Sequence, residues 1–109
     1  MTTDSNRRGY VIAVDKITDM DRFADEYLPT TAETIGAHDG EVLVGSFEPD
    51  VREGEWDPTG TFVVEFPTVE AANEWYNDET YQDVVPIRHD TCEYTNLIVT
   101  PEFRPEVLE

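Results

Sequence analysis

GTFVVEFPTVEAANEWYNDETYQDVVPIRHD, residues 60–90, is the stretch of sequence that decides the fold. It opens with a predicted strand in which Phe62, Val64 and Phe66 share one face, because side chains alternate along an extended backbone. Pro67 ends that strand, since proline has no amide hydrogen to continue the pairing. The rest of the stretch has the spacing of helices.

Two helices are predicted to follow this strand. Thr68 is a residue type that accepts the first free amide hydrogens of a helix, and the apolar residues after it recur at the helical period. The inward face of the first helix consists of Val69, Ala72, Trp75 and Tyr76. The inward face of the second helix consists of Tyr81, Val84, Val85 and Arg88. The second face therefore carries a guanidinium at the edge of an apolar surface.

A strand and a helix precede this stretch. GYVIAVDKI, residues 9–17, is apolar on both faces of a predicted strand. The helix after it begins near Thr18 or Asp19, which are good capping residues. We expect a kink or restart at Pro29 and an end at Gly36. Its apolar stripe consists of Met20, Phe23, Ala24, Tyr27, Leu28, Ala32 and Ile35.

Two more strands complete the pattern, at residues 41–46 and at about residues 94–100, and residues 51–56 are read as a short hairpin arm. The order strand, helix, strand, strand, helix, strand is a doubled split βαβ unit. Right-handed crossovers place both helices on the same side of a four-stranded antiparallel sheet. The other face is also apolar and has no covering element, which predicts a two-fold homodimer that stacks the bare faces.

The length of 109 residues suits a single domain. We expect a mobile N-terminal arm at residues 1–8, one α+β domain at residues 9–100 and a C-terminal tail at residues 101–109. The tail contains an apolar phenylalanine and two prolines, and we expect it to lie along the partner subunit.

The charge is strongly acidic, with 25 Asp and Glu against 7 Lys and Arg and a net charge of -18. The acidic residues are dispersed and Lys16 is the only lysine, a pattern that favours a halophilic protein over an ordinary acidic one. At about 1 M salt the Debye length falls to roughly 3 Å, which screens this repulsion. The charge argues against nucleic acid and anionic membranes as partners, because both bind clustered Lys and Arg.

No apolar run is long enough to span a bilayer, and the first residues lack the apolar core of a signal peptide, so we expect a cytoplasmic protein. Cys92 is the single cysteine, which excludes an internal disulfide. We interpret it as a half-buried residue at a strand start rather than a nucleophile. Neither metal-ligand spacing nor a glycine-rich phosphate loop occurs, so no metal or cofactor is expected.

The sequence resembles a known family, the domain-of-unknown-function 1330 family of the dimeric α+β barrel, ferredoxin-like superfamily. The resemblance rests on GYVIAVDKITDMDRF at residues 9–23, EGEWDP at 53–58 and FVVEFPTVEAANEWYNDETYQDVVPIRH at 62–89. It implies a ferredoxin-like α+β fold, a barrel-like homodimer and a small pocket between sheet and helices. Superfamily members include cofactor-free monooxygenases, haem-dependent enzymes, isomerases and ligand-sensing modules, so the resemblance leaves the function open.

Several residues are candidates for a site. Arg88 could hold a carboxylate through two parallel hydrogen bonds, or pair with an internal Asp or Glu. His38 is the better placed of the two histidines for acid-base work, since histidine titrates near neutrality, but a solvated helix-terminal histidine is the competing interpretation. Trp56 lies in the loop before the third strand, where an indole could roof a pocket or lock the loop to the core. Tyr27 and Tyr81 could donate hydroxyls to a ligand or belong to the core.

Two functional hypotheses follow. The first is a homodimeric small-molecule binding module whose pocket, lined by Tyr27, Trp56, Tyr81 and Arg88, holds a small organic compound, in particular a small organic acid. The alternative is a cofactor-independent enzyme, resembling a monooxygenase or isomerase, with His38 as the catalytic acid-base group. A dimeric scaffold protein without a pocket is a third possibility.

Overall fold

The computed structural model describes residues 7–105, and there the chain forms the predicted sequence of strands and helices. The elements are β1 Gly9–Ile17, α1 Met20–Arg22, a π-helical turn Phe23–Tyr27, α2 Leu28–Ala37, β2 Glu41–Ser46, β3 Gly60–Phe66, α3 Val69–Tyr76, α4 Glu79–Asp90 and β4 Cys92–Pro101. The strand order is β2-β3-β1-β4, and every neighbouring pair is antiparallel. This is the ferredoxin-like α+β fold expected from the sequence. The outer parts of the predicted arm and tail, residues 1–6 and 106–109, lie outside the described residues.

The register of the sheet gives its two faces different environments. On one face Val11 lies opposite Val64 and Val99, and these residues face the helices. On the other face Ile12 lies opposite Ile98, and these two side chains are 36% and 55% exposed. The predicted alternation along the strands is therefore confirmed, and the described part of the chain provides no element that covers the second face.

The first helical segment changes its hydrogen-bond pattern just before Pro29, where the sequence predicts a kink or restart. The amide of Leu28 donates to the carbonyl of Phe23, five residues earlier, so the turn from Phe23 to Tyr27 is π-helical. Pro29 then falls in the first turn of α2, where its missing amide hydrogen costs no helical bond. The extra residue in this turn shifts the buried face of α2, which carries Thr31 rather than the predicted Ala32.

Three local expectations are wrong. The helix does not end at Gly36 but continues through Ala37, and the chain leaves it through Asp39, which adopts a left-handed φ of 62°. An aspartate tolerates this conformation, so it replaces glycine as the helix-ending residue. Residues 51–56 form no strand, so the expected hairpin arm is absent. Tyr76 is not fully inward but partly exposed at the end of α3.

Side-chain caps fix the start of the two C-terminal helices. The hydroxyl of Thr68 accepts a hydrogen bond from the amide of Ala71 at 3.0 Å, as the sequence predicts. The carboxylate of Asp78 accepts from the amides of Thr80 at 2.7 Å and Tyr81 at 3.3 Å. Because α4 begins immediately at this cap, its first turn directs Tyr81 into the core.

Aromatic rings fill the space between sheet and helices. Phe23, Phe66, Trp75 and Tyr81 are almost completely buried. The ring centroids of Trp75 and Tyr81 are 4.2 Å apart, and those of Phe66 and Trp75 are 5.7 Å apart. Buried aromatic pairs at these distances add to the area that they remove from water. Trp75 of this cluster also lines the site described next.

Candidate functional site

A cavity of about 250 Å³ lies between the helix-covered face of the sheet and the first helical segment. Most of its wall is apolar, and the apolar residues include Val11, Ala13, Phe62, Val64, Trp75 and Leu97. Three lining residues, Ala32, Val42 and Gly45, are exposed to solvent. The mouth of the cavity therefore lies between α2 and the edge strand β2.

Polar groups reach the cavity at a few points only. Among the described lining residues, those with polar side-chain groups are Asp15, Tyr27, Thr31 and Trp75. The Trp75 indole donates to the hydroxyl of Thr34 at 3.1 Å, and the Thr31 hydroxyl donates to the carbonyl of Tyr27 at 2.7 Å. A largely apolar pocket with a few placed polar groups is the usual form of a small-molecule site.

Two tyrosine hydroxyls meet in the core beside the cavity. The hydroxyls of Tyr27 and Tyr81 are 2.8 Å apart and share a hydrogen bond. Tyr27 is 5% exposed and lines the cavity, whereas Tyr81 is completely buried behind it. The π-helical turn places Tyr27, and the cap of α4 places Tyr81, so the pair joins the two helical parts of the fold.

Burial raises the pKa of both phenols. For Tyr27 the loss of hydration is the largest cause, and the neighbouring Tyr81 also raises the pKa, while Arg88 and Thr31 lower it. For Tyr81 burial again raises the pKa, and the interactions with Tyr27 and Arg88 lower it in part. Both groups are consequently protonated at neutral pH and keep their hydroxyl hydrogens.

A buried ion pair adjoins the tyrosine pair. Asp15 and Arg88 are 1% and 3% exposed. The carboxylate accepts a hydrogen bond from Nε of Arg88 at 3.1 Å, and Nη2 of Arg88 lies 3.1 Å from the same oxygen. The hydroxyl of Thr95 donates to the same carboxylate oxygen, and Arg88 also donates to the carbonyl of Asn96 at 3.4 Å. The guanidinium is therefore paired with an internal acid, which was one of the two interpretations of Arg88.

The structure brings three of the predicted site residues together and leaves two apart. Tyr27, Tyr81 and Arg88 form one buried cluster beside the cavity. Trp56 is 48% exposed in the loop before β3 and does not line the cavity. His38 follows α2, and its Nε2 lies 2.8 Å from the carboxylate of Asp78, so it joins α2 to the cap of α4 and also lies outside the lining.

Asp15 and Thr31 line the cavity but were not predicted as site residues. Asp15 could have been found from the alternation of β1, which places it on the same face as Val11 and Ala13. An acidic residue at an inward position of an apolar strand needs a buried partner. Thr31 gave no comparable signal, because its inward position results from the π-helical turn.

Cys92 is half-buried at the start of β4, as the sequence predicts. Burial raises the pKa of its thiol, and the negative charge of Asp15 adds to this effect. The thiolate, which is the nucleophilic form, is thus disfavoured at neutral pH.

Among residues 7–105, no group of three or more His, Cys, Asp or Glu side chains is placed to hold a metal ion. No helix in this range has the length and hydrophobicity needed to cross a membrane.

One family model matches the sequence. It describes a domain of unknown function, DUF1330, and it matches residues 8–101. Among curated proteins, none matches the sequence significantly.

Solved structures share the fold at low sequence identity. A protein of unknown function from Rhodopseudomonas palustris, RPA0582, has a TM-score of 0.76 at 18% identity, over 94% of this chain and 88% of that one. A dimeric ferredoxin-like protein of unknown function from Jannaschia sp. CCS1 has a TM-score of 0.70 at 14% identity, over 89% and 99%. The hydroxynitrile lyase of Passiflora edulis has a TM-score of 0.67 at 8% identity, over 91% and 96%. At these identities the similarity establishes the fold alone.

Proposed function

The chain belongs to the DUF1330 family, and from this premise we propose that it is a homodimeric binding module for a small, largely apolar organic compound. The observation that supports the proposal is the cavity between sheet and helices, with its apolar wall and few polar groups. Water finds few hydrogen-bond partners in such a space. An apolar compound that enters it is removed from bulk water and gains van der Waals contacts with the wall.

The size of the cavity limits the size of the ligand. A cavity of about 150 Å³ lined by aliphatic and aromatic side chains accommodates benzene. In proportion, the volume of about 250 Å³ fits a compound of about ten non-hydrogen atoms. The exposed mouth between α2 and β2 provides the route of entry.

The predicted site residues take different parts in this proposal. Tyr27 contacts the ligand directly, because it lines the cavity. Tyr81 and Arg88 support it from behind, since the first is bonded to Tyr27 and the second is already paired with Asp15. Trp56 is assigned no contact with a ligand in the cavity of its own subunit.

The homodimer is proposed from the uncovered face of the sheet. Ile12, Val44 and Ile98 expose apolar surface there, and the helices of the same subunit lie on the opposite face. A second copy that stacks the same face on this one removes both apolar surfaces from water. The structurally similar Jannaschia protein is described as dimeric, which supports the same arrangement here.

A nuclear magnetic resonance titration tests the binding proposal with an internal control. The chain contains two tryptophans, of which Trp75 lines the cavity and Trp56 does not. We expect titration with acetophenone or α-methylstyrene, each of nine non-hydrogen atoms, to move the indole N–H signal of Trp75 and leave that of Trp56 in place.

A pair of variants makes this test specific. Ala32→Phe narrows the mouth of the cavity and should weaken binding of both compounds at least about tenfold through steric exclusion. Ala37→Phe adds the same ring at an exposed position of the same helix that does not line the cavity, and should leave binding unchanged. If neither compound moves the Trp75 signal of the unaltered protein, the binding proposal is wrong.

The alternative, a cofactor-independent enzyme, assigns the acid-base role to His38. His38 is bonded to Asp78 and lies outside the cavity lining, so a compound in the cavity would not contact it. We therefore place binding first. Turnover of a bound compound that is lost in His38→Ala would favour the enzyme instead.

A further inference from the structure

The two carboxylate oxygens of Asp15 are used very differently by the protein. Oδ1 accepts hydrogen bonds from Nε of Arg88 at 3.1 Å and from the hydroxyl of Thr95, and Nη2 of Arg88 also lies 3.1 Å from it. Among the described residues, none donates a hydrogen bond to Oδ2. Each carboxylate oxygen has lone pairs for about two hydrogen bonds, so Oδ2 keeps its acceptor capacity.

The position of Asp15 places this second oxygen at the cavity. The alternation of β1 directs Asp15 to the helix-covered face together with Val11 and Ala13, and all three residues line the cavity. Oδ2 is not one of the unpaired side-chain atoms of residues 7–105 that the protein encloses completely. An oxygen that has no donor and is not enclosed borders an accessible space, and for the almost fully buried Asp15 this space is the cavity that it lines.

The pairing with Arg88 fixes the chemical character of Oδ2. A guanidinium keeps its charge, and a buried charge requires an opposite charge beside it. Asp15 is the acid that pairs with Arg88, so its side chain is a carboxylate. A carboxylate has no hydrogen of its own, and Oδ2 can therefore only accept a hydrogen bond.

The charge balance of the site favours a neutral ligand. Asp15 is the charged side chain among the described lining residues, and Arg88 already balances it. A ligand carboxylate would meet the charge of Asp15, because Arg88 does not line the cavity. A ligand ammonium group would add an unbalanced charge to a largely apolar space, which is costly. A neutral donor avoids both costs.

We propose that the cavity selects neutral compounds that carry a hydroxyl or N–H group, and that this group donates a hydrogen bond to Oδ2 of Asp15. Small alcohols, phenols and amides of about ten non-hydrogen atoms meet both requirements, since they combine an apolar body with one donor. This inference rests on the proposed function and replaces the small organic acid expected from Arg88 with a neutral donor.

Three compounds of similar shape isolate the hydrogen bond. 1-Phenylethanol has a hydroxyl where acetophenone has a carbonyl oxygen and α-methylstyrene has a methylene group. The alcohol and the ketone both give up hydrogen bonds to water, but only the alcohol can donate to Asp15. We expect the tighter-binding enantiomer of 1-phenylethanol to have a dissociation constant at least about tenfold lower than that of acetophenone, because hydrogen bonds to charged groups have at least this effect.

Asp15→Asn should remove or reverse this preference. The amide oxygen takes the place of Oδ1, because Arg88 and Thr95 both donate there. The amide nitrogen then takes the place of Oδ2 and offers hydrogens to the cavity. Acetophenone should therefore bind Asp15→Asn at least as tightly as 1-phenylethanol does.

Control variants separate the role of Asp15 from those of net charge and of the lining hydroxyls. Asp25→Asn removes the same charge at an exposed position outside the lining and should keep the tenfold preference. Thr31→Val and Tyr27→Phe remove the lining hydroxyls and should also keep the ratio of the two dissociation constants, whatever their effect on the absolute affinities. Loss of the ratio in either hydroxyl variant, but not in Asp15→Asn, would assign the acceptor elsewhere and overturn the inference.

A second measurement uses the unaltered protein and does not depend on the folding of any variant. With aspartate labelled with ¹³C at the carboxyl carbon, the signal of Asp15 should move on saturation with 1-phenylethanol and much less with α-methylstyrene, because only the alcohol forms a hydrogen bond with the carboxylate. Equal movement with both compounds would overturn the inference.

The possible failures are distinguishable. If all three compounds move the Trp75 indole signal but bind with equal affinity, the inference about the donor is wrong and the binding module stands. If benzoate or 1-phenylethylammonium binds more tightly than 1-phenylethanol, the cavity selects an ion and the neutral donor is excluded. If no compound binds the unaltered protein, the proposed function itself fails.

Discussion

The pair of Asp15 and Arg88 is the residue-level feature that most constrains this molecule. Two opposite charges, both almost fully buried, are balanced by one another and by Thr95 and the carbonyl of Asn96. From the sequence, the stripe of α4 located Arg88 correctly on the inward face. The stripe did not identify the acid that pairs with Arg88. That acid comes from β1, and the sequence pattern does not specify which inward acid contacts the guanidinium.

We expect Arg88→Met to lower the free energy of unfolding by about 3–5 kcal/mol, because it leaves the Asp15 carboxylate buried without its partner. Methionine keeps a long, flexible side chain, so most of the effect is electrostatic. Denaturant unfolding at fixed salt measures the change.

Matched variants separate the buried pair from an exposed one. Arg22→Met removes a solvent-accessible guanidinium that pairs with the exposed carboxylates of Glu26 at 3.1 Å and Asp90 at 3.8 Å, and should cost only about 0–1 kcal/mol. Adding Asp15→Asn to Arg88→Met removes the unpaired charge and should restore part of the loss. Equal effects of Arg88→Met and Arg22→Met would contradict this account of the core.

At the level of elements, the position of the break in the first helical segment could be predicted from the sequence, but the form of the break could not. Proline supplies no amide hydrogen, so a break near Pro29 could be located from the sequence. The sequence does not specify whether the chain relieves that break by a kink or by an added residue. The chain adds a residue, and the longer bond from Leu28 to Phe23 turns Thr31 inward and Ala32 outward. The part of the cavity wall that α2 provides therefore depends on whether the preceding turn has α-helical or π-helical hydrogen bonds.

The contact between β1 and α3 depends on a glycine. A Cβ added at Gly9 would lie 2.7 Å from the Cα of Val69 and 2.8 Å from the carbonyl oxygen of Thr68. We expect Gly9→Ala to destabilise the fold by about 1–3 kcal/mol, because backbone atoms on both sides must move apart. Thermal or denaturant unfolding measures the shift.

Gly36 provides the opposite case in the same molecule. It lies inside α2, where an added Cβ meets no heavy atom within 4 Å among the described residues. Gly36→Ala should therefore stabilise the protein by about 0.5–1 kcal/mol through lower chain entropy in the unfolded state. Stabilisation by both variants would show that the approach of β1 to α3 is not tight.

For the whole molecule, the decisive feature is a sheet with two apolar faces and helices on one of them. The alternation of the strands was sufficient to predict this, because it depends only on a period of two. It was not sufficient to predict the cavity, because a space left between packed side chains depends on their shapes and on the π-helical turn. The sequence therefore predicted the proposed dimer face more directly than the proposed ligand site.

The proposed dimer gives a direct test on this face. Ile98→Asp places a charge on the uncovered face, where Ile98 of the edge strand β4 is opposite Ile12 of β1. The dissociation constant of the dimer should rise at least about tenfold, because a buried carboxylate without a partner is costly. Met20→Asp places the same charge at an exposed position on α1, away from the sheet, and should leave the dimer intact. Sedimentation across a concentration series measures both, and a monomeric unaltered protein would refute the proposal.

The net charge of -18 leads to the last expectation, that the protein is adapted to high salt. At about 10 mM salt the Debye length is about 30 Å, so dispersed carboxylates across the whole subunit repel one another, whereas at about 1 M it is about 3 Å. We therefore expect the denaturation midpoint in KCl to be higher at molar than at millimolar concentration. The combined change Glu48→Gln, Glu53→Gln and Glu55→Gln removes three exposed charges and should reduce this salt dependence. A midpoint that is the same at both salt concentrations would refute the halophilic interpretation, because repulsion would then have no measurable effect on folding.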